Sequence, residues 1–224
     1  MFTGIIQSIG EIAAIQLKGG DVRLYIKTGK LQVNNVALGD SIATNGVCLT
    51  AVELPGDGFW ADVSRETLDC TSVGNWKVGQ AVNLEKAMTP ETHFGGHIVS
   101  GHVDGLGEIV TRKPDGRSER FVIRAPKELA KYIAANGSIT IAGVSLTVNR
   151  VDGCDFEINI VPHTLQETII GGYKKGTKIN WKVDVVARYR QRLMLGDKAA
   201  EEGECGYAQG ADNAEHRGDR HGLV

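Results

Sequence analysis

The side chains best suited to move protons or grip a polar ligand fall in a few short motifs. Gly46-Val47-Cys48-Leu49-Thr50 and Gly143-Val144-Ser145-Leu146-Thr147 stand 97 residues apart. Alternate residues of a strand face one way, so Cys48 and Thr50 share a face, as do Ser145 and Thr147. Small polar groups two apart on one face suit hydrogen bonding to a flat heterocycle, and they equally suit a solvated sheet surface. Cys48 has no base adjacent in sequence, so a covalent nucleophile is the weaker reading.

A third motif, running from His93 through His97 and His102 to Gly105, gathers three histidines. Spacings of four and five turn His97 and His102 to opposite faces of a strand, and Asp104 is the one carboxylate at hand, so no metal is expected. His93 and His97 read as structural histidines near a domain join. His102 reads otherwise, because the position 97 residues earlier is Ile5. A fold that accepts isoleucine there does not require imidazole. A group with an ordinary pKa of about 6.5 in one copy alone points to proton transfer or a polar ligand contact.

These comparisons rest on a repeat. Phe2 to Ile12 returns as Val99 to Ile109, Glu66-Thr67-Leu68 as His163-Thr164-Leu165, and Gly79 and Asn83 as Gly176 and Asn180, always 97 residues apart and without a gap. About a quarter of positions from Thr3 to Ala87 match their partners, as expected of two similar folded units in one chain. Two similar units carry two similar pockets, which makes a reaction between two copies of one molecule an early candidate.

The elements that must position these groups are short strands. Val22 to Lys27 and Phe121 to Arg124 alternate with period two, and glycine, with 29 residues, punctuates further Val-, Ile- and Thr-rich segments. Roughly six strands per half suit a small closed antiparallel barrel. Pro126 followed by a run to Asn136-Gly137 predicts a helix, and Lys30 to Leu38 a weaker one. One or two helical turns are expected at Arg65 to Val73 and Pro162 to Ile170, where Thr67 and Thr164 serve either as caps or as ligand contacts. After Asp184, Val186, Tyr189 and Leu193 form the stripe of an amphipathic helix.

The bulk properties narrow the function. A net charge of −2 and a pI near 6.3, without a basic run, argue against nucleic-acid binding. No leader-like segment and no apolar stretch of spanning length is seen, so no membrane partner is expected. Four unpaired-looking cysteines, Cys48, Cys70, Cys154 and Cys205, suit a reduced cytoplasmic protein.

Met1-Phe2-Thr3-Gly4-Ile5, Asn45 to Thr50, Gly95-Gly96-His97 through Gly101-His102-Val103-Asp104-Gly105, and Gly143 to Thr147 together resemble the riboflavin synthase family, over about residues 1 to 190. The resemblance implies an all-β fold: two similar six-stranded Greek-key barrels from an internal duplication, plus a C-terminal α-helix. The barrels would span residues 1–93 and 94–184, a trimerisation helix 185–200 and a disordered tail 201–224. It implies transfer of a four-carbon unit between two molecules of 6,7-dimethyl-8-ribityllumazine, with no cofactor. A homotrimer is implied, and lumazine synthase is the candidate macromolecular partner.

Matched motif by motif, the first lumazine pocket would use Gly4, Ile5, Ile6, Cys48, Leu49 and Thr50, with Asp62, Val63, Ser64, Arg65, Glu66 and Thr67. The second would use Gly101, His102, Val103, Ser145, Leu146 and Thr147, with Asn159, Ile160, Val161, Pro162, His163 and Thr164. His102, Ser145, Cys48 and Asp184 are the implied catalytic groups. Two positions depart from the family pattern: Asn136 stands where a ligand-binding lysine is expected, and Ala142-Gly143 where Asp-Gly is usual. The rival readings are a non-catalytic lumazine or flavin carrier and a trimeric interaction module.

Overall fold

The computed structural model describes residues 1–196. Six strands form the first half: β1 (Ser8–Lys18), β2 (Asp21–Lys27), β3 (Ser41–Thr44), β4 (Val47–Thr50), β5 (Gly58–Val63) and β6 (Ala81–Lys86). Six more form the second: β7 (Gly105–Asp115), β8 (Ser118–Arg124), β9 (Ser138–Ile141), β10 (Val144–Asp152), β11 (Asp155–Ile160) and β12 (Lys178–Val183). Two one-turn helices, α1 (Arg65–Cys70) and α2 (Pro162–Glu167), follow β5 and β11, and α3 (Val185–Leu195) follows β12.

Both halves share one antiparallel Greek-key order. In the first it runs β4-β3-β6-β1-β2-β5, and in the second β10-β11-β8-β7-β12-β9, closed into a barrel. Even the bulges repeat, between Ile12 and Ala14 on β1 and between Ile109 and Thr111 on β7. Alternation puts Leu24, Ile26, Phe59 and Ala61 inside one barrel and Phe121, Ile123, Phe156 and Ile158 inside the other. Full burial of each large side chain contributes about 1.5–3 kcal/mol.

The two closures differ. β10 pairs with β11 as far as Asp152 opposite Asp155, whereas in the first half a single bridge, Glu53 opposite Trp60, joins the ends of the sheet. Pro55 occupies the position equivalent to Asp152 and has no N–H to give to a ladder.

The halves meet about a pseudo-twofold axis. Phe2 and Val99, repeat equivalents, bridge each other antiparallel and are both buried. The β3–β4 and β9–β10 turns touch so closely that a Cβ on Gly46 would lie 2.8 Å from the Gly143 nitrogen. Asn83 and Asn180, also equivalents, tie the halves with reciprocal bonds. Asn83 Nδ2 donates to the Ala142 carbonyl (2.9 Å) and Asn180 Nδ2 to that of Asn45 (3.1 Å). Their Oδ1 atoms accept the backbone N–H of Ile169 and of Ser72, each at 2.8 Å.

One asymmetry in this network is a departure noted in the sequence. Asn45 (φ 49°) and Ala142 (φ 47°) both hold left-handed turn positions, which asparagine tolerates and alanine resists. Asn45 Oδ1 also accepts the Asn83 N–H at 2.7 Å, a bond Ala142 cannot reproduce for Asn180. Ala142→Asn is therefore expected to stabilise the protein by about 1 kcal/mol, or roughly 3 °C in Tm. Calorimetry at matched protein concentration checks this, and an unchanged or lowered Tm counts against it.

Two helical expectations need correction. The Pro126 segment forms a short 3-10 helix, Lys127–Tyr132, rather than an α-helix reaching Asn136. Pro126 stands before it with ψ 140° and supplies no side-chain cap, so nothing favours extending the turn. Lys30 to Leu38 forms turns: Leu31 and Val33 are both buried, a two-residue spacing that extended chain satisfies and a helix does not. The expected helix at 185–200 runs over Val185–Leu195, and residues 197–200 with the tail at 201–224 lie outside the described residues. Among the described residues, no helix is long and apolar enough to cross a membrane.

Candidate active site

The pseudo-twofold axis decides which residues share a site. After the Phe2–Val99 bridge each leading segment continues onto the opposite barrel. Ser145 on β10 donates its N–H to the Gly4 carbonyl (2.7 Å), and Cys48 on β4 donates its N–H to the Gly101 carbonyl (2.9 Å). Ile6 accordingly packs against the second core and Val103 against the first. The expected grouping of Gly4-Ile5-Ile6 with Cys48, and of Gly101-His102-Val103 with Ser145, is thus interchanged. A repeat cannot reveal such an exchange, because pairing within a half and pairing across halves keep the same 97-residue period.

The close approach requires glycine. Gly4 (φ 78°) and Gly101 (φ 79°) are left-handed, and a Cβ on either would lie 2.6 Å from the Cβ of Ser145 or Cys48. Thr50 and Thr147 sit two residues on from Cys48 and Ser145 and are exposed. Leu49, Val63 and Ile160 instead face the barrel cores, and Leu146 packs against the second.

Around Ser145 the polar groups form a buried cluster. Ser145 Oγ lies 2.7 Å from His97 Nδ1, and His97 Nε2 lies 3.1 Å from Thr140 Oγ1. Burial lowers the His97 pKa below that of free imidazole; the Asp184 charge opposes this and Lys182 adds to it. His97 also donates its backbone N–H to the Thr3 carbonyl (3.1 Å). Thr3 in turn is fixed by Glu85, whose carboxylate accepts the N–H and hydroxyl of Thr3 (both 2.7 Å) and the N–H of Gly4 (2.9 Å). Burial raises the Glu85 pKa against the lowering effect of those bonds.

His102, singled out by the repeat, is exposed beside Gly101 on the Cys48 side. It is His97, read as structural, that reaches Ser145. Asp184 heads α3, accepting the Val186 N–H at 2.9 Å. Asp104 lies buried between Lys182 (3.7 Å) and Arg188 of α3 (2.6 Å) and accepts the Val183 N–H.

The strand-end groups fall where β5 and β11 run into their helices. Ser64 Oγ caps α1 by accepting the Thr67 N–H, and Arg65 N–H bonds Asp21. Asp62, Glu66 and His163 are exposed. α2 starts on Pro162 after Val161 without a side-chain cap, and the carbonyls of Thr67 and Thr164 each accept a threonine hydroxyl at 2.6 Å. Asn159 donates to Asp115 (3.1 Å), while its buried Oδ1 has no hydrogen-bond partner among the described residues. Asn136, left-handed at φ 62°, donates its backbone N–H to Val148 and leaves its side chain exposed.

Three contributors escaped the sequence reading: His97, Thr140 and Glu85. The logic that marked His102 would have marked two of them, since Thr140 replaces Ala43 and Glu85 is replaced by Lys182.

Comparison with known proteins bears on this arrangement. The family described as lumazine binding domain matches the chain twice, over residues 3–87 and 100–184. The chain is 52% identical to a riboflavin synthase of Photobacterium phosphoreum over 198 residues, 88% of this chain and 91% of that one. It is 39% identical to one of Bacillus subtilis over 194 residues, 87% and 90% of the two chains. Among solved structures, LumP complexed with 6,7-dimethyl-8-(1'-D-ribityl) lumazine superposes with a TM-score of 0.74 at 26% identity, covering 82% of this chain and 99% of that one.

Proposed function

The chain belongs to the riboflavin synthase family, and on that premise we propose that it is a transferase acting on two molecules of 6,7-dimethyl-8-ribityllumazine. A four-carbon unit passes from one to the other, giving riboflavin and 5-amino-6-ribitylaminouracil. The two products contain all the atoms of the two substrates, so no oxidant, reductant or carbon donor enters. The observation that carries this reading is the pair of related but unequal sites: Cys48 beneath Gly101 with the exposed Thr50 two residues on, and Ser145 beneath Gly4 with the exposed Thr147 two residues on.

The C7-methyl of a lumazine is acidic because its carbanion delocalises into the ring. Two rings held face to face in opposite orientation turn a bimolecular condensation into a nearly unimolecular one, and effective molarities of about 10⁵ M or more are attainable in such arrangements. Ser145 is assigned to orienting the water or hydroxyl that adds at C7 of the lumazine in the second barrel, and His102, on the Cys48 side, to moving protons at the first. Cys48 and Thr50 hold the other ring, and Asp184 contributes electrostatically. The groups at Asp62–Thr67 and Asn159–Thr164, with Asn136 nearby, bind the ribityl chains.

We assign the working form to a cytoplasmic homotrimer in which the first barrel of one subunit faces the second barrel of the next. Support comes from α3, where Val186, Tyr189 and Leu193 stand 64%, 69% and 79% exposed, and from the open position of Thr50 and Thr147. Such a stripe of large apolar groups favours a subunit contact.

The rival reading is a lumazine or flavin carrier, to which the LumP likeness lends weight. The intact motifs Gly101-His102-Val103 and Gly143 to Thr147 favour catalysis, as does the higher identity to the synthases. Incubation with the lumazine decides between them. Riboflavin and the pyrimidine should appear in equal amounts, from protein that sizes as a trimer. Tight binding without conversion would establish the carrier, and a catalytically active monomer would remove the interface site.

A further inference from the structure

The second leading segment is held differently from the first. Thr3 and Gly4 are clamped by the Glu85 carboxylate of their own half, through two N–H groups and a hydroxyl. The residue 97 positions on is Lys182, whose side chain has donors only and cannot accept from Ser100 or Gly101. Gly101 nonetheless covers Cys48 as closely as Gly4 covers Ser145, and its carbonyl accepts the Cys48 N–H at 2.9 Å. Another group must fix it.

That group is Asp104. Its Oδ2 accepts the Val183 N–H at 2.8 Å, just as its repeat equivalent, Gln7, accepts the Lys86 N–H through Oε1 at 2.9 Å. An exposed neutral amide therefore suffices for this bond. The Asp104 side chain is instead a carboxylate only 8% exposed, and a buried charge demands partners. Arg188, in the first turn of α3, lies 2.6 Å from its Oδ1, and Lys182 lies 3.7 Å from its Oδ2. Arg188 is the closer, and its guanidinium stays charged at any working pH. Burial lowers the Lys182 pKa, although the Asp104 charge opposes this. The Tyr132 ring of the second half, 5.5 Å from the Arg188 guanidinium carbon, steadies the arginine further.

We propose that Arg188 is a positioning residue: through Asp104 it fixes the segment from Gly101 to Asp104 over Cys48, so that α3 sets the geometry of the first lumazine pocket. The inference rests on the function proposed above and adds a link from the C-terminal helix to one of its two sites. The connection is short. From Asp104 the chain passes through Val103, packed on the first core, and the exposed His102 to Gly101. Three residues of chain span at most about 11 Å, so a shift at Asp104 is felt at Cys48. Losing Arg188 leaves Asp104 with the more distant Lys182 and gives the segment freedom to lift. The first leading segment keeps its Glu85 clamp whatever happens at α3.

Alkylation of Cys48 by iodoacetamide, mapped by peptide mass spectrometry on the full-length chain, reads this cover directly. Arg188→Ala should raise the Cys48 rate about tenfold, while the exposed Cys70 and half-buried Cys154 react as in wild type. Turnover should fall with it: kcat about tenfold, KM by less than about threefold. Arg188→Lys, which keeps the charge, should recover most of both effects. Asp104→Asn should act in the same direction, and the double variant no more strongly than the stronger single, because both cut one link. An unchanged Cys48 rate, a faster rate with unchanged kcat, no recovery with lysine, or multiplicative effects would each overturn the inference. So would an Arg188→Ala protein of altered native size, since the pair would then hold the assembly rather than the segment. Should Asp104→Asn fail to fold, the two Arg188 variants decide alone. A wild-type chain without turnover would overturn the proposed function itself, whereas active wild type with indifferent alkylation removes only the role of Arg188.

Discussion

Gly4→Ala is expected to cut turnover at least about a hundredfold and to destabilise the chain by about 2–5 kcal/mol. Two costs combine. Alanine at φ 78° carries left-handed strain of about 1–2 kcal/mol. Its methyl would also sit 2.6 Å from Ser145 Cβ and 2.8 Å from Ser145 N, and forcing apart a packed contact costs about 1–3 kcal/mol. Neither neighbour is the far end of a flexible side chain, so relief requires β10 or the leading segment to shift. At the proposed site, where two rings are held together, a displacement of about 1 Å costs on the order of a hundredfold in rate. Gly116→Ala is the control: φ is 63° and nothing lies within 4 Å, so strain alone should be felt. Denaturation and steady-state kinetics on the two variants separate strain from contact. If Gly4→Ala behaves like Gly116→Ala, the packing of the leading segment on β10 is not what shapes this site.

Asn83→Ala should be the most damaging substitution remote from substrate, at about 3 kcal/mol. It strips partners from the Ala142 carbonyl and the Ile169 N–H, both on the opposite half, and each unpaired buried group costs about 1–3 kcal/mol. The Asn180→Ala loss should match it, since the Asn45 carbonyl and the Ser72 N–H are deprived in the same way. Because these bonds tie half to half, the double variant should also split a single urea transition into two. A loss within about 0.5 kcal/mol of wild type, with one transition retained, would show that apolar contacts alone hold the halves together.

The strands were legible because alternation and glycine turns write a barrel directly into residues such as Val22–Lys27 and Phe121–Arg124. The repeat sets the expectation of two related pockets for the same reason. What it could not carry was connectivity across the axis, so Gly4 and Gly101 were grouped with the wrong partners. Closure of the first barrel was hidden too, since one proline, Pro55, turns a ladder into a lone bridge. A histidine buried between two hydroxyls, as His97 is, reads in sequence like any core histidine. Its partners Thr140 and Ser145 are separated from it by more than forty residues. The segment after Pro126 forms a 3-10 turn rather than the expected longer helix because a proline and an Asn-Gly pair mark turns of any pitch.

The exchanged leading segments have a bearing on how the molecule is made. As the chain emerges from the ribosome, strands up to Lys86 can assemble while Cys48 still waits for Gly101, which is synthesised later. The opening residues, for their part, must stay free until β10 exists to receive Gly4. Each half therefore matures only by means of its sibling, and any nascent chain that meets a second copy first finds there an equally good place to dock.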